Sequence, residues 1–212
     1  MAICGYEAVP FDFLPQLVNL YRDGPLPLVT ARGLYIQANR NNCVKRALEV
    51  TGWDYMLSLD TDMVLPNCLL DRVRSYTDPV VGGLYFRRQW PDFGPIQGNM
   101  DQIEVPQFTR LTDEQLDPML ADPGLYPCDV LGTGCLAIRR DVLENWPDEM
   151  MPHFATMTSK DGQEMVTEDV YFCWRLKQQG IQPMLDTQVR CGHVGSFTFG
   201  TKTYLGARET CS

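Results

Sequence analysis

Tyr55-Met-Leu-Ser-Leu-Asp-Thr-Asp-Met-Val-Leu-Pro66 is the stretch that decides how the chain reads. An apolar run of strand length, residues 55–59, ends in two carboxylates, Asp60 and Asp62, one residue apart. An acid inside a hydrophobic strand is costly unless it is paired or bound to a cation. The run therefore reads as a strand that leaves its sheet at Asp60. Residues two apart on a strand point the same way, and two hard oxygen donors facing one spot suit Mg2+ or Mn2+. Ligands of open α/β sheets gather at the carboxyl ends of the strands. An exposed Asp-x-Asp turn in an acidic protein is the ordinary alternative.

On either side of this run the pattern alternates. Residues 2–4 form a short apolar strand, and Phe11, Leu14, Leu17, Val18 and Tyr21 recur at helical spacing until Asp23-Gly24-Pro25. A strand is expected over 28–31 and a helix over 39–50, closed by Gly52. After the acids, Asn67 would cap a helix carrying Leu69, Leu70 and Val73, and 79–85 is a further strand. Such alternation predicts an α/β fold, one domain with a mostly parallel central sheet flanked by helices.

From 87 to 127 the regularity fails: six prolines interrupt the segment, and only 112–120 has a helical pattern. A connection of this length is usually functional or disordered. An apolar strand returns over 128–138 around Gly132-Thr133-Gly134, followed by a short helix from Arg140. Residues 150–165 are irregular, with Lys160-Asp161-Gly162 as a turn tip. Thr167 then caps a helix over 168–179, ended by Gly180. Strands over 182–185 and 188–191 close the chain before Gly192-His193.

At 212 residues, 44% hydrophobic and 21% charged, the composition is that of an ordinary globular domain. A net charge of -9 works against non-specific binding to nucleic acid or anionic lipid. No run approaches the ~18 apolar residues of a membrane span, and the first residues lack the pattern of a signal peptide. The eight cysteines are scattered without a Cys-x-x-Cys pair, which points to buried thiols and a cytoplasmic location.

Further constellations bear on chemistry. Glu168 and Asp169 open a helix, where the macrodipole alone favours acids, but one of them facing a cleft would serve as a general base. His193, set between glycines, is a reasonable third ligand for Mn2+ beside carboxylates. His153 carries no assignment. Residues 132–137 match the GxGxxA dinucleotide pattern, yet the helix that should open inside it waits until about Asp141, so a Rossmann site is excluded. A haloacid dehalogenase-type phosphatase would want Thr at position 64, which is Val.

In order and spacing these pieces resemble the GT-A glycosyltransferases, specifically the family 2-like group. Val9-Pro10 is similar to the family's opening segment, and Arg40-Asn41 to its Arg-Asn element. Leu59-Asp60-Thr61-Asp62-Met63 resembles the DXD signature and 81–85 the strand after it. The acceptor-side strand and helix match 132–143, Glu168-Asp169 resembles the ED helix, and His193 the late metal ligand.

The resemblance implies inverting transfer of a sugar from a nucleotide-sugar, most often a UDP-sugar, to an acceptor hydroxyl. Asp60, Asp62 and His193 would hold Mn2+ or Mg2+, and Asp169 would be the base, with Glu168 orienting the acceptor. Gly5, Tyr6, Glu7 and Arg40 would line the nucleoside pocket, with Asp60 also able to reach the donor. Residues 1–86 would form the nucleotide-binding half and 87–212 the acceptor-binding half, in which 87–127 shapes acceptor choice. The acceptor could be a saccharide, a protein, a small molecule or a hydroxylated DNA base, the last suiting a small viral enzyme in host cytoplasm. A nucleotidyltransferase on a related fold and a non-catalytic nucleotide-sugar-binding domain stand beside this expectation. The sequence specifies neither the sugar nor the oligomeric state.

Overall fold

The computed structural model describes residues 1–5, 13–22, 24–88, 94–101, 106–158, 164–195 and 198–201. The first part of the chain forms β1 (Ala2–Gly5), α1 (Phe13–Leu20), β2 (Val29–Arg32), α2 (Ile36–Leu48), β3 (Tyr55–Asp60), β4 (Met63–Val64), α3 (Leu69–Ser75) and β5 (Val80–Leu84). Then come β6 (Gly98–Asp101), β7 (Gln107–Arg110), α4 (Asp113–Ala121), β8 (Leu125–Pro127), β9 (Cys135–Arg139) and α5 (Arg140–Glu144). The last part adds β10 (Met157–Thr158), β11 (Glu164–Val166), α6 (Glu168–Gln178), β12 (Met184–Arg190), β13 (Gly192–Val194) and β14 (Thr198–Phe199).

The central sheet has seven strands in the order β2-β1-β3-β9-β5-β12-β8. β1 pairs parallel with both β2 and β3, and β5 pairs parallel with β12. β9 runs antiparallel between β3 and β5, and β8 lies antiparallel at the edge. Side chains alternate across this sheet and so divide the apolar residues into two cores. Met56, Val80, Leu136 and Ile138 face one core with α2, α5 and α6. Leu57, Leu59, Val81 and Ala137 face the other with α1 and α3. Burial on both faces explains why β5 reads as an unbroken apolar run rather than an alternating one. In the first core Phe172 stacks on Trp146 and Phe154 at centroid distances of 5.2 and 4.7 Å. Burying such a ring contributes about 1.5–3 kcal/mol.

Several expectations need correction. The segment 87–127 is not structureless: β6 and β7 pair as an antiparallel hairpin, and α4 follows with a capping box in which the Thr112 backbone N–H donates to Gln115 Oε1 at 3.0 Å. Residues 150–165 include β10 and β11, an antiparallel pair, while the Lys160-Asp161-Gly162 tip lies outside the described residues. Only 135–139 of the apolar run 128–138 is central strand. The two closing strands are one, β12, with a register shift between Asp186 and Arg190. The N-cap position of α3 is Cys68 rather than Asn67. α6 does end as expected, with Gly180 at φ +71.

Candidate functional site

β3 stops at Asp60, and Thr61-Asp62 is a turn rather than a continuation. Strand alternation therefore does not carry on to Asp62, and the two acids take different partners. Beyond the turn β4 leaves the main sheet and pairs with β13, setting His193 opposite Met63 and Gly192 opposite Val64. The Val194 N–H donates to the Asp62 carbonyl at 2.7 Å. This small sheet is what brings a histidine 131 residues downstream in sequence to the turn after β3.

Asp60 belongs to an ion trio built on a buried arginine. Arg40, from α2, is only 4% exposed and forks to both sides: Nη2 donates to Asp60 Oδ2 at 3.1 Å and Nε to Glu168 Oε1 at 3.1 Å. Nη1 lies 3.0 Å from Asp60 Oδ1 and 3.4 Å from Ser58 Oγ. Asp60 Oδ1 is nevertheless a buried acceptor toward which no hydrogen-bond donor is aimed among the described residues. Burial, and then the neighbouring charge of Asp169, push the Glu168 carboxyl above its ordinary value, against the pull of Arg40. Asp169, half-buried, takes the Val170 N–H on Oδ1 at 2.8 Å, and Thr167 Oγ1 donates to the same oxygen.

Asp62 is served differently. Its Oδ2 lies 3.5 Å from His193 Nε2 and 2.5 Å from Nη1 of Arg88, which also donates to the Val194 carbonyl at 3.1 Å. Burial would raise the Asp62 carboxyl, but the contact and charge of His193 and the charge of Arg88 together hold it below its ordinary value. His193 Nδ1 lies 2.9 Å from the Phe86 carbonyl. A carbonyl only accepts, so Nδ1 carries a proton and donates it to Phe86, which turns the Nε2 edge of the ring toward Asp62. That is the arrangement by which a metal-binding imidazole is oriented.

Sequence reasoning missed the part played by Tyr85. It lies 5.6 Å from the His193 ring, edge to face, and its hydroxyl accepts the Gly134 N–H at 2.9 Å. Burial, then the charges of Asp60 and Asp169, push its phenol far above the ordinary 10, so it remains a neutral hydroxyl within the field of both acids. A Cβ on Gly132 would stand 2.1 Å from Tyr85 Oη, and one on Gly134 3.0 Å from it and 3.2 Å from Asp60 Oδ2. The legible signal was Gly132-Thr133-Gly134 itself: the glycines bend the chain around Tyr85 and the strand end. Arg88, which carried no assignment in the sequence, is the other omission.

Of the expected site residues, Arg40, Asp60 and Glu168 meet in one cluster and Asp62 and His193 in another. Gly5 ends β1, whose Cys4 is in register with Asp60. Tyr6, Glu7 and the Val9-Pro10 pair lie outside the described residues. Among the described residues no group of three or more His, Cys, Asp or Glu is close enough to hold a metal ion, because Asp60 turns to Arg40. The donor set still fits a divalent cation. A carboxylate and an oriented imidazole nitrogen converge there.

No protein-family model and no curated protein matches the chain. Solved structures do. A197 from STIV superposes with a TM-score of 0.59 at 16% identity, covering 92% of this chain and 85% of that one. GalNAc-T7, crystallised with UDP, GalNAc and Mn2+, superposes with a TM-score of 0.52 at 11% identity, over 92% of this chain and 43% of its own length. The fold is thus a GT-A-like α/β arrangement around the seven-stranded sheet, of the kind glycosyltransferases use. Among the described residues no helix is long and apolar enough to cross a membrane.

Proposed function

We propose that the chain is a metal-dependent inverting glycosyltransferase that moves a sugar from a nucleotide-sugar of the UDP-sugar class to an acceptor hydroxyl. The observation that carries this is the convergence of Asp62 with the oriented Nε2 of His193 at the end of β3 in a GT-A-like fold. Asp62 and His193 would hold a divalent cation there, and that cation would supply Lewis-acid stabilisation of the departing diphosphate. Residues 1–86 bind the nucleotide, with Gly5, Tyr6 and Glu7 at its nucleoside end, and 87–212 bind the acceptor.

Asp169 is the base. It takes the proton of the acceptor hydroxyl as that oxygen bonds to the anomeric carbon and the bond from that carbon to the diphosphate oxygen breaks on the opposite face. Glu168, locked on Arg40, fixes the start of α6 and so places Asp169. Arg40, at 4% exposed, positions Asp60 and Glu168 rather than lining an open nucleoside pocket.

Thermal unfolding of the wild type and of Asp169→Asn, with UDP-, GDP-, TDP- and CDP-sugars and with or without Mn2+, tests the proposal. A donor at about 100 times its dissociation constant stabilises the fold by roughly 2.7 kcal/mol, and the shift should require Mn2+. Asp169→Asn is expected to keep that shift while transfer falls by roughly 10²–10⁴-fold. If no nucleotide-sugar moves the transition, the proposal fails; if Asp169→Asn retains transfer, Asp169 is not the base.

A further inference from the structure

Arg88 stands where a cation would have to come. Its Nη1 is 2.5 Å from Asp62 Oδ2, the same oxygen that faces His193 Nε2 at 3.5 Å. A divalent ion bridging that oxygen and that nitrogen would lie about 2.0–2.2 Å from each. It would then share one carboxylate oxygen with a guanidinium, at a separation where like charges repel strongly.

We infer that Arg88 is a displaceable counter-ion at this site: it neutralises Asp62 until a divalent cation arrives, and then swings to an oxygen of the nucleotide diphosphate. The inference rests on the proposed cation and nucleotide site. Several observations support it. Arg88 is 48% exposed at its side chain, so water can solvate the guanidinium while it changes partners. The backbone beneath it is fixed, since the Phe86 carbonyl holds His193 Nδ1 and the Arg87 N–H donates to the Gly94 carbonyl at 3.1 Å. Movement is therefore left to the side chain, whose length suits it. A guanidinium also matches phosphate oxygens in a two-pronged geometry that a bare ammonium lacks.

The consequence is coupling. Cation alone must compete with Arg88 for Asp62, whereas cation and diphosphate together relieve the competition by giving Arg88 a second anion. Metal and nucleotide then bind each other's complex better than either binds alone.

Mn2+ titrations of the full chain, followed by the electron paramagnetic resonance of free Mn2+, decide the matter. They are run with and without inorganic pyrophosphate as the phosphate probe. Without pyrophosphate, Arg88→Ala should bind Mn2+ about tenfold more tightly than wild type, one positive charge having been removed from the site. That gain should vanish in an Asp62→Ala background. With pyrophosphate, the enhancement of Mn2+ affinity seen in wild type should shrink in Arg88→Ala, and Arg88→Gln should behave likewise. Mn2+ binding by Arg88→Ala equal to or weaker than wild type overturns the inference, as does an undiminished pyrophosphate enhancement. Neither readout involves sugar transfer, so failure here leaves the donor-binding test standing, and failure of that test leaves this one readable.

Discussion

Arg40 and Arg88 hold the two acids at the end of β3, and their surroundings differ sharply. Arg40 is 4% exposed and spends its guanidinium on Asp60 and Glu168. Arg88 is 48% exposed at its side chain and gives Asp62 a single prong, with a backbone carbonyl as its other partner. The chemistry of the two pairs is the same, but the environment is not. Stripping water from Arg40 and Glu168 is costly, so this trio is held by mutual dependence, and removing Arg40 leaves the acids stranded. The exposed pair can be exchanged for solvent at little cost. One cluster is built to stay and the other to change partners.

The strongest way to break this contrast is Arg40→Met. It leaves Glu168 and Asp60 without their counter-ion and should lower the unfolding free energy by about 3–5 kcal/mol in urea denaturation. A loss below about 1 kcal/mol would place the trio with ordinary surface pairs.

Glu168→Gln gives an effect of intermediate size with a definite sign. The folded chain raises this carboxyl above its ordinary 4.5, so it binds the proton more tightly than the unfolded chain does. The stability tied to the protonated acid is complete below that ordinary value and is lost as pH rises from there through the folded value. Urea midpoints measured between about pH 4 and 7 should show this falling limb in wild type and lack it in Glu168→Gln, because Gln does not titrate. An identical pH dependence in both proteins would mean that Arg40, not burial, dominates at Glu168.

The smallest effect belongs to Arg88→Ala. Its unfolding free energy should stay within about 1 kcal/mol of wild type under the same urea titration. A loss as large as that of Arg40→Met would erase the distinction between the two clusters.

Much of the scaffold was legible in the sequence because its signals are local. The alternation of short apolar runs and amphipathic segments foretold the strands and helices up to β5 except β4, and Thr167 with Gly180 bracketed α6. What escaped depends on partners far along the chain. Asp186 looked like a break between two closing strands, yet it is a fully buried strand residue, satisfied by Arg72 Nε at 2.8 Å and the Tyr76 hydroxyl at 2.7 Å. Those partners lie 114 and 110 residues away, beyond any local pattern. The apolar run 128–138 concealed a bend, since its glycines answer to the bulk of Tyr85 rather than to strand or helix propensity. At the site, residue types were readable and their grouping was not. Arg40 looked like a nucleoside contact until its burial beside Glu168 was visible, and Arg88 entered only through the fold.

The place of β9 also bears on how the molecule is made. It fills the gap between β3 and β5, but it is the last of these three to leave the ribosome. Until residues 135–139 emerge, β3 and β5 each present an open edge, and open edges invite pairing with other chains. Closing the sheet also requires contacts between residues far apart in sequence, which slows folding. Synthesis of residues 1–88 therefore yields one half-sheet, β2-β1-β3, and a lone strand β5 whose partners β9 and β12 are still to come, and that interval is when the nascent chain has most need of a chaperone.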